Sequence, residues 1–389
     1  MKVEAFKKRR EARRTPASWA ARIVARSEDG RPADREMRTT LRNIDGLRPA
    51  DARWISRAVF AYYRWKEWLD PARILEKRLD QAMGYADTYS RHPQAFPDED
   101  LLAGAIPEWV KEVVDVPIGW VRALQREPRL WLRARPGTAK RLALTLGGPE
   151  DAVEGVLPDS VEYRGTRDLF RTGAFHRGEL EIQDVSSQVV GLCCAPTPGE
   201  RWWDMCAGEG GKTLHLADLL QGKGEVLGTD RASWRLERLH ERVTRAKTNL
   251  VKAVVWDEKH PVPGPDPFDG VLVDAPCSGL GTWGRNPHAR WTATSKDVAE
   301  LAACQLRLLE KATQAVKPGG RLVYSVCTVT RAETSEVATA FGTAHPEFEP
   351  VPFADPFLPE NPPVAQRLFW PHETGGNGMF VAMWRRKQV

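Results

Sequence analysis

From Thr15 to about Leu79 apolar residues recur at helical spacing. Trp19, Ile23 and Val24 share a face after a Thr15-Pro16 start, and Ile55, Val59, Tyr62 and Tyr63 repeat every three to four positions before Trp65, Trp68 and Leu69. Gly84, His92-Pro93, Pro97 and Pro107 then interrupt the pattern and predict a looser joint over residues 80–107. Ile106–Leu124 predicts further helix. The character changes at Leu130-Trp131-Leu132-Arg133-Ala134, which reads as a strand. Thr138–Leu146 reads as a helix closed by Gly147-Gly148.

After Glu179 strands and helices alternate. Short apolar runs at Arg201–Met205, Glu225–Asp230, Val251–Trp256, Phe268–Asp274 and Arg321–Ser325 predict five strands. Asp297–Val316 predicts an amphipathic helix with Val298, Leu301, Ala302, Gln305, Leu308 and Ala312 on one side, capped by Thr294-x-x-Asp297 and ended by Pro318-Gly319-Gly320. Val364–Phe369 and Met379–Trp384 predict an antiparallel pair around Gly375-Gly376-Asn377-Gly378. Such alternation implies an α/β fold with a doubly wound, mostly parallel sheet. The expected division is a helical domain over 1–125, a small α/β connector over 126–180 and a catalytic domain over 181–389.

Composition narrows the class. The 389 residues contain 42% apolar and 28% charged residues, which suits a packed fold of two to three domains. No apolar run approaches the roughly 18 residues of a membrane span. MKVEAFKKRREARR is basic without an apolar core behind it, so it is not a secretory signal. Six cysteines, none in a paired C-x-x-C arrangement, predict neither a disulfide scaffold nor a metal site, and a reducing cytoplasmic location is the simplest expectation. The net charge of +5 is mild. Its distribution is less so: residues 2–14 are strongly basic, and Arg53, Arg57, Arg64 and Arg73 sit between the helical apolar positions. These arginines are either a solvated bundle face or a surface for RNA phosphates. Arg129, Arg133, Arg135, Lys140 and Arg141 suggest a basic path through the connector.

The first strand-to-helix turn reads Asp204-Met205-Cys206-Ala207-Gly208-Glu209-Gly210-Gly211-Lys212-Thr213. Its glycines allow close backbone approach to a ligand, yet it is neither a Walker A loop nor a clean G-x-G-x-x-G. Asp230 ends the second strand, where a carboxylate can accept ribose hydroxyls, and Asp257 follows the third, within reach of an adenine amino group. Capping of the next helices is the plainer role for both acids. The pattern favours a nucleoside-bearing cofactor, either a dinucleotide or S-adenosylmethionine. Two cysteines leave strand ends: Asp274-Ala275-Pro276-Cys277-Ser278-Gly279 and Tyr324-Ser325-Val326-Cys327-Thr328. Cys193, Cys194, Cys206 and Cys304 fit the usual role of a small core residue; Cys277 and Cys327, entering polar turns, fit it poorly.

Together, Cys206-Ala207-x-x-Gly210-Gly211-Lys212-Thr213, the Pro276-Cys277 motif and Ser325-x-Cys327-Thr328 resemble the Fmu/Sun family of RNA cytosine-5 methyltransferases, most nearly its bacterial RsmB-type branch. Gln183-Asp184-x-Ser186-Ser187-Gln188, Arg290-Trp291 and Lys317-Pro318-Gly319-Gly320 agree with it. The resemblance is strong over residues 179–389 and weaker over the helical region, which looks like the NusB-type RNA-binding domain of that branch. It implies a Rossmann-like S-adenosylmethionine-dependent domain acting on RNA, rRNA in that branch, with no metal and no membrane. The runner-up readings are methylation of another RNA such as tRNA, and a non-catalytic RNA-binding or assembly factor with the same fold. By resemblance Cys327 attacks the base, Cys277 assists release and Asp274 holds the cytosine edge. Cys206, Ala207, Gly208, Glu209, Gly210, Gly211, Lys212, Asp230, Arg235, Asp257 and Asp274 would line the cofactor site. Trp283, Arg290 and Trp291 are candidates for base stacking and phosphate contact, or else for the core. Two positions depart from the family: Gly208-Glu209 where Ala-Pro is usual, and Val326 where threonine is usual.

Overall fold

The computed structural model describes residues 15–264 and 266–388, so the basic segment 2–14 lies outside the described residues. The chain forms two compact units, one of residues up to Glu127 together with Trp283–Thr294, the other of Pro128–Thr282 and Ser295 onward. The segment expected as a separate connector thus groups with the second unit, and a short stretch inside the expected catalytic domain groups with the first.

The first unit is helical: α1 Pro16–Glu28, α2 Ala33–Arg42, α3 Pro49–Arg64, α4 Leu75–Arg91, α5 Asp98–Gly104, α6 Val110–Val113 and α7 Ile118–Leu124. Thr15 caps α1 by accepting from the Ser18 N–H at 3.2 Å, with Pro16 in the first turn. The expected joint over 80–107 is a correction. α4 runs through its first half because Leu79, Ala82, Ala86 and Tyr89 make a buried helical stripe, and Gly84 faces open space where it costs only helix propensity. The helix stops at His92-Pro93. Ile106–Leu124 is split into two short helices, with Pro117 as N-cap of α7. The buried Trp65 ring packs with Trp68, Tyr85, Tyr89 and Phe96. Trp283 is fully buried and stacks on Trp120 at 6.2 Å between centroids.

The second unit begins with an antiparallel sheet in the order β2-β3-β1-β4, from β1 Leu130–Ala134, β2 Ala152–Glu154, β3 Ser160–Tyr163 and β4 Leu180–Ile182, with α8 Ala139–Thr145 and α9 Gly173–His176. After α10 Val185–Cys194, a helix the sequence reading missed, comes the main sheet. Its strands are β5 Arg201–Asp204, β6 Glu225–Asp230, β7 Val251–Val255, β8 Phe268–Asp274, β9 Val316–Val326, β10 Phe348–Pro350, β11 Gln366–Phe369 and β12 Met379–Arg386. The order is β10-β12-β9-β8-β5-β6-β7, with β11 also on β12. β5 to β9 are parallel, and β12 runs antiparallel to β9. Interleaved helices are α11 Gly211–Leu219, α12 Ser233–Ala246, α13 Ser295–Thr313 and α14 Ser335–Ala344.

Trp202 and Trp203 explain why β5 is central. As neighbours on a strand they point to opposite faces, and each is fully buried in a different core cluster. Gly270, the glycine inside F-D-G-V-L-V-D, is required there: a Cβ would lie 2.4 Å from the Trp202 ring. The chain leaves β5 toward β6 and β7, then returns on the other side through β8 and β9. The switch point therefore lies between β5 and β8, where open α/β sheets bind ligands at the strands' carboxyl ends.

Candidate active site

Three loops meet at that edge. The turn after β5 is tight: Gly210 N–H donates to the Ala207 carbonyl at 2.8 Å, and Ala207 N–H to Thr229 at 2.8 Å. Gly210 has φ of 87° and precedes α11, with Leu239 only 2.1 Å from an added Cβ, so no other residue fits. Gly208 has φ of 54°, and an added Cβ would meet nothing within 4 Å, leaving open space above the turn. Beneath it Asp204 is buried and accepts from Thr213 Oγ1 at 2.7 Å, while its Oδ1 has no partner. Burial raises the Asp204 carboxyl to about 7.

Asp230 ties the turn to β6. Its carboxylate accepts from the Gly208 N–H at 3.1 Å and the Ala232 N–H at 2.8 Å, with Arg235 at 3.4 Å. Asp257 accepts from the Lys259 N–H at 3.0 Å and meets the His260 ring at 2.7 Å. Both acids thus cap turns at their strand ends. Glu209 is exposed, and its carbonyl accepts from Arg242 at 3.0 Å. Cys206 lies partly buried against the core.

The other two loops bring the cysteines together. Cys277 Sγ and Cys327 Sγ are 3.3 Å apart, both as free thiols. Lys212, the first residue after the α11 glycine, reaches across to Asp274 Oδ2 at 2.6 Å, and Ser325 Oγ donates to Asp274 Oδ1 at 2.8 Å. The thiols are not equivalent. The hydrogen bond between them pushes the Cys277 thiol up and pulls the Cys327 thiol down. At Cys327 burial and Asp274 oppose the lowering and Lys212 adds to it, whereas at Cys277 burial and Glu333 add to the raising. Burial opposes the Lys212 ammonium, but Asp274 outweighs it and holds its pKa above the ordinary lysine value. This corner joins a thiolate-prone sulfur, a second thiol, an ammonium and a carboxylate.

The family model described as 16S rRNA methyltransferase RsmB/F matches residues 192–385. Among curated relatives, "Probable ribosomal RNA small subunit methyltransferase B" of Bacillus subtilis is 38% identical over 222 residues, 56% of this chain and 50% of that protein. The chain belongs to the RsmB/F methyltransferase family. It spans between half and about two thirds of the length of the first curated relatives it matches. The solved structure of PH0851 aligns with a TM-score of 0.78 at 25% identity, over 96% of this chain and 99% of that one. NSun6 from Pyrococcus horikoshii with SFG, an S-adenosylmethionine analogue, aligns with a TM-score of 0.51 at 27% identity, over 60% of this chain and 58% of that one.

Within this RsmB/F chain some polar candidates have other work. Trp283 and Arg290 are fully buried, so they cannot meet RNA. Arg290 donates to the carbonyls of Ala105 at 2.7 Å and Leu124 at 3.2 Å, and the Trp291 indole N–H to Tyr63 at 2.7 Å. The basic path is also interrupted. Arg133 is buried against Gln183 and Asp218, Arg135 donates to Asp218 at 2.7 Å, and Arg129 pairs with Glu162 at 3.6 Å; Lys140 and Arg141 remain exposed. Cys193 and Cys194 are buried core residues, as expected. Sequence reasoning missed Glu333, fully buried beside the cysteine loops. Its signal was an acid six residues after Cys327 in a run of threonines. Among the described residues no helix is long and apolar enough to cross a membrane, and no cluster of His, Cys, Asp and Glu could hold a metal.

Proposed function

We propose that this protein transfers a methyl group from S-adenosylmethionine to carbon 5 of a cytosine in RNA, with rRNA as the substrate class, through a covalent bond to Cys327. The observation that carries the reading is the pair of unequal thiols, 3.3 Å apart, beside the Lys212–Asp274 ion pair. Transfer to a protein or small molecule needs no such pair.

The open space over Gly208 and the unpartnered Asp204 Oδ1 at the base of the turn fit an elongated polar ligand. Cys206–Lys212 would hold its methionine end, Asp230 and Arg235 its ribose and Asp257 its adenine. When bound, S-adenosylmethionine supplies an electrophilic methyl group. The chain's residues prepare the carbon that receives it. Cys327, as thiolate, bonds to carbon 6 of the cytosine, and the electrons of the carbon 5–carbon 6 double bond make carbon 5 nucleophilic. Lys212 favours that thiolate. Asp274 accepts from the cytosine amino edge and stabilises the adduct. Cys277 assists removal of the carbon 5 proton, after which the Cys327–carbon 6 bond breaks and the double bond re-forms. The base must be unstacked to reach these groups, and the helical unit supplies the RNA-docking surface.

The test is tritiated methyl transfer to RNA, with bisulfite sequencing of rRNA from cells with and without the gene. Loss of one rRNA cytosine-5 mark in the deletion supports the reading. A mark lost only from tRNA changes the substrate class, and no lost mark with no methyl transfer leaves a non-catalytic assembly factor.

A further inference from the structure

Glu333 lies in the turn after β9, fully buried, and its carboxylate gathers both cysteine loops. Oε1 accepts from the Ser278 N–H at 2.8 Å and from Gln305 Nε2 at 3.0 Å. Oε2 accepts from Thr330 Oγ1 at 2.9 Å, from Thr328 Oγ1 at 3.2 Å and from the Ser278 hydroxyl. Ser278 Oγ and Thr328 Oγ1 are themselves 2.8 Å apart. Gln305 extends the reach: Nε2 also donates to the Pro276 carbonyl at 2.9 Å, and Oε1 accepts from the Tyr324 hydroxyl at 2.9 Å. The residues on both sides of Cys277, and the residue after Cys327, are therefore anchored to one buried group.

Burying a carboxylate is costly, and hydrogen bonds of this kind offset the cost only while the donors stay in place. The loops are thus held in one arrangement, and the sulfurs with them. The position also breaks the symmetry of the pair. Glu333 bonds the residue after Cys277 through both its N–H and its hydroxyl and adds to the raising of the Cys277 thiol, whereas at Cys327 the Lys212 ammonium works against the Asp274 carboxylate. Two like thiols at one sheet edge would otherwise share a proton with little preference.

We propose that Glu333 is a positioning residue that holds the two sulfurs in register and directs nucleophilic attack to Cys327 rather than Cys277. The directing part rests on the function proposed above, and the positioning part can be read without it. Limiting iodoacetamide near neutral pH, followed by digestion and mass spectrometry, gives the ratio of alkylation at Cys327 to that at Cys277 in the full chain, with neither RNA nor cofactor present. The wild type is expected to favour Cys327. In Glu333→Gln, which keeps the volume but loses the charge and one acceptor, the ratio should fall at least fivefold. Methyl transfer should fall at least tenfold in kcat, with RNA KM and cofactor affinity within twofold. A role in folding alone would lower the melting temperature without moving the ratio. Ser278→Ala, which removes one hydroxyl from the cluster but keeps the backbone bond, should shift the ratio the same way by a smaller factor, and it decides the matter if Glu333→Gln does not fold. An unchanged ratio in the folded variant overturns the proposal. A shifted ratio in a protein whose wild type transfers no methyl group supports the positioning role and overturns the function instead.

Discussion

Two buried cations show how differently the two units use the same kind of residue. Lys212 in the sheet unit meets Asp274 at 2.6 Å and interacts with the Cys327 thiol. Arg290 in the helical unit donates to the carbonyls of Ala105 and Leu124, which close α5 and α7. Helix C-termini carry partial negative charge and unpaired carbonyls, so a guanidinium there joins two helix ends. An ammonium beside a carboxylate and a thiol instead alters which proton is held where. A buried positive charge marks chemistry only when its partners are themselves reactive.

The largest expected effect falls on Cys327. Cys327→Ala should abolish methyl transfer while S-adenosylmethionine affinity by calorimetry stays within a few-fold. Cys277→Ala should slow attack, because the hydrogen bond that lowers the Cys327 thiol is lost, but should still allow it and should slow release further, trapping RNA on the protein as a slower band on a denaturing gel. The double variant should show no such band. Trapping by Cys327→Ala instead would reverse the assignment.

Lys212→Met should cost about 10- to 100-fold in kcat at neutral pH, because the Cys327 thiol loses a cation that favours its ionised form. The loss should shrink as pH rises toward the ordinary thiol range. A flat ratio of rates across pH would mean that Lys212 serves only the cofactor loop.

Arg290→Met tests the other side of the comparison. It leaves two buried carbonyls unpaired and should cost about 2–4 kcal/mol of stability in the helical unit, read by denaturant unfolding, without changing cofactor affinity. Deleting residues 1–125 should expose Trp283 and the Arg290 contacts and produce aggregation visible by light scattering. A monodisperse truncated chain would show that the 283–294 segment does not depend on the helices.

An effect of comparable size, read as a pH slope, concerns Asp204. Its folded pKa of about 7 lies above its ordinary value of 3.8, so the folded state binds more protons between those limits. The stability it contributes is present below the lower value and is lost as pH rises through the higher one, at most about 4 kcal/mol. Asp204→Asn should flatten this slope in unfolding experiments between pH 4 and 7.5. An unaltered slope would assign the pH dependence to another group.

Local sequence was sufficient wherever pattern and spacing carry the physics. Apolar runs determined the inner parallel strands, since a strand buried on both faces must be apolar throughout, while β7 lies exposed at the sheet edge. The glycines of Ala207–Gly211 determined a tight turn, and the motifs at Cys277 and Cys327 placed both thiols at strand ends. Periodicity misled between residues 80 and 107, because Gly84 and nearby prolines weigh heavily in a local reading, whereas the buried stripe of α4 is stabilised by packing. Only the tertiary structure decided the rest. Sulfurs fifty positions apart in sequence came to 3.3 Å because β8 and β9 are neighbours in register. Arg290 and Trp283, which read as polar or stacking candidates, became core because residues over 150 positions away supply their partners. Glu333 resembles any surface acid until folding removes its water and surrounds it with donors. Which polar residue is reactive, which is a strut and which is a clamp depends on the dielectric and the partners around it, and those are properties of the assembled fold.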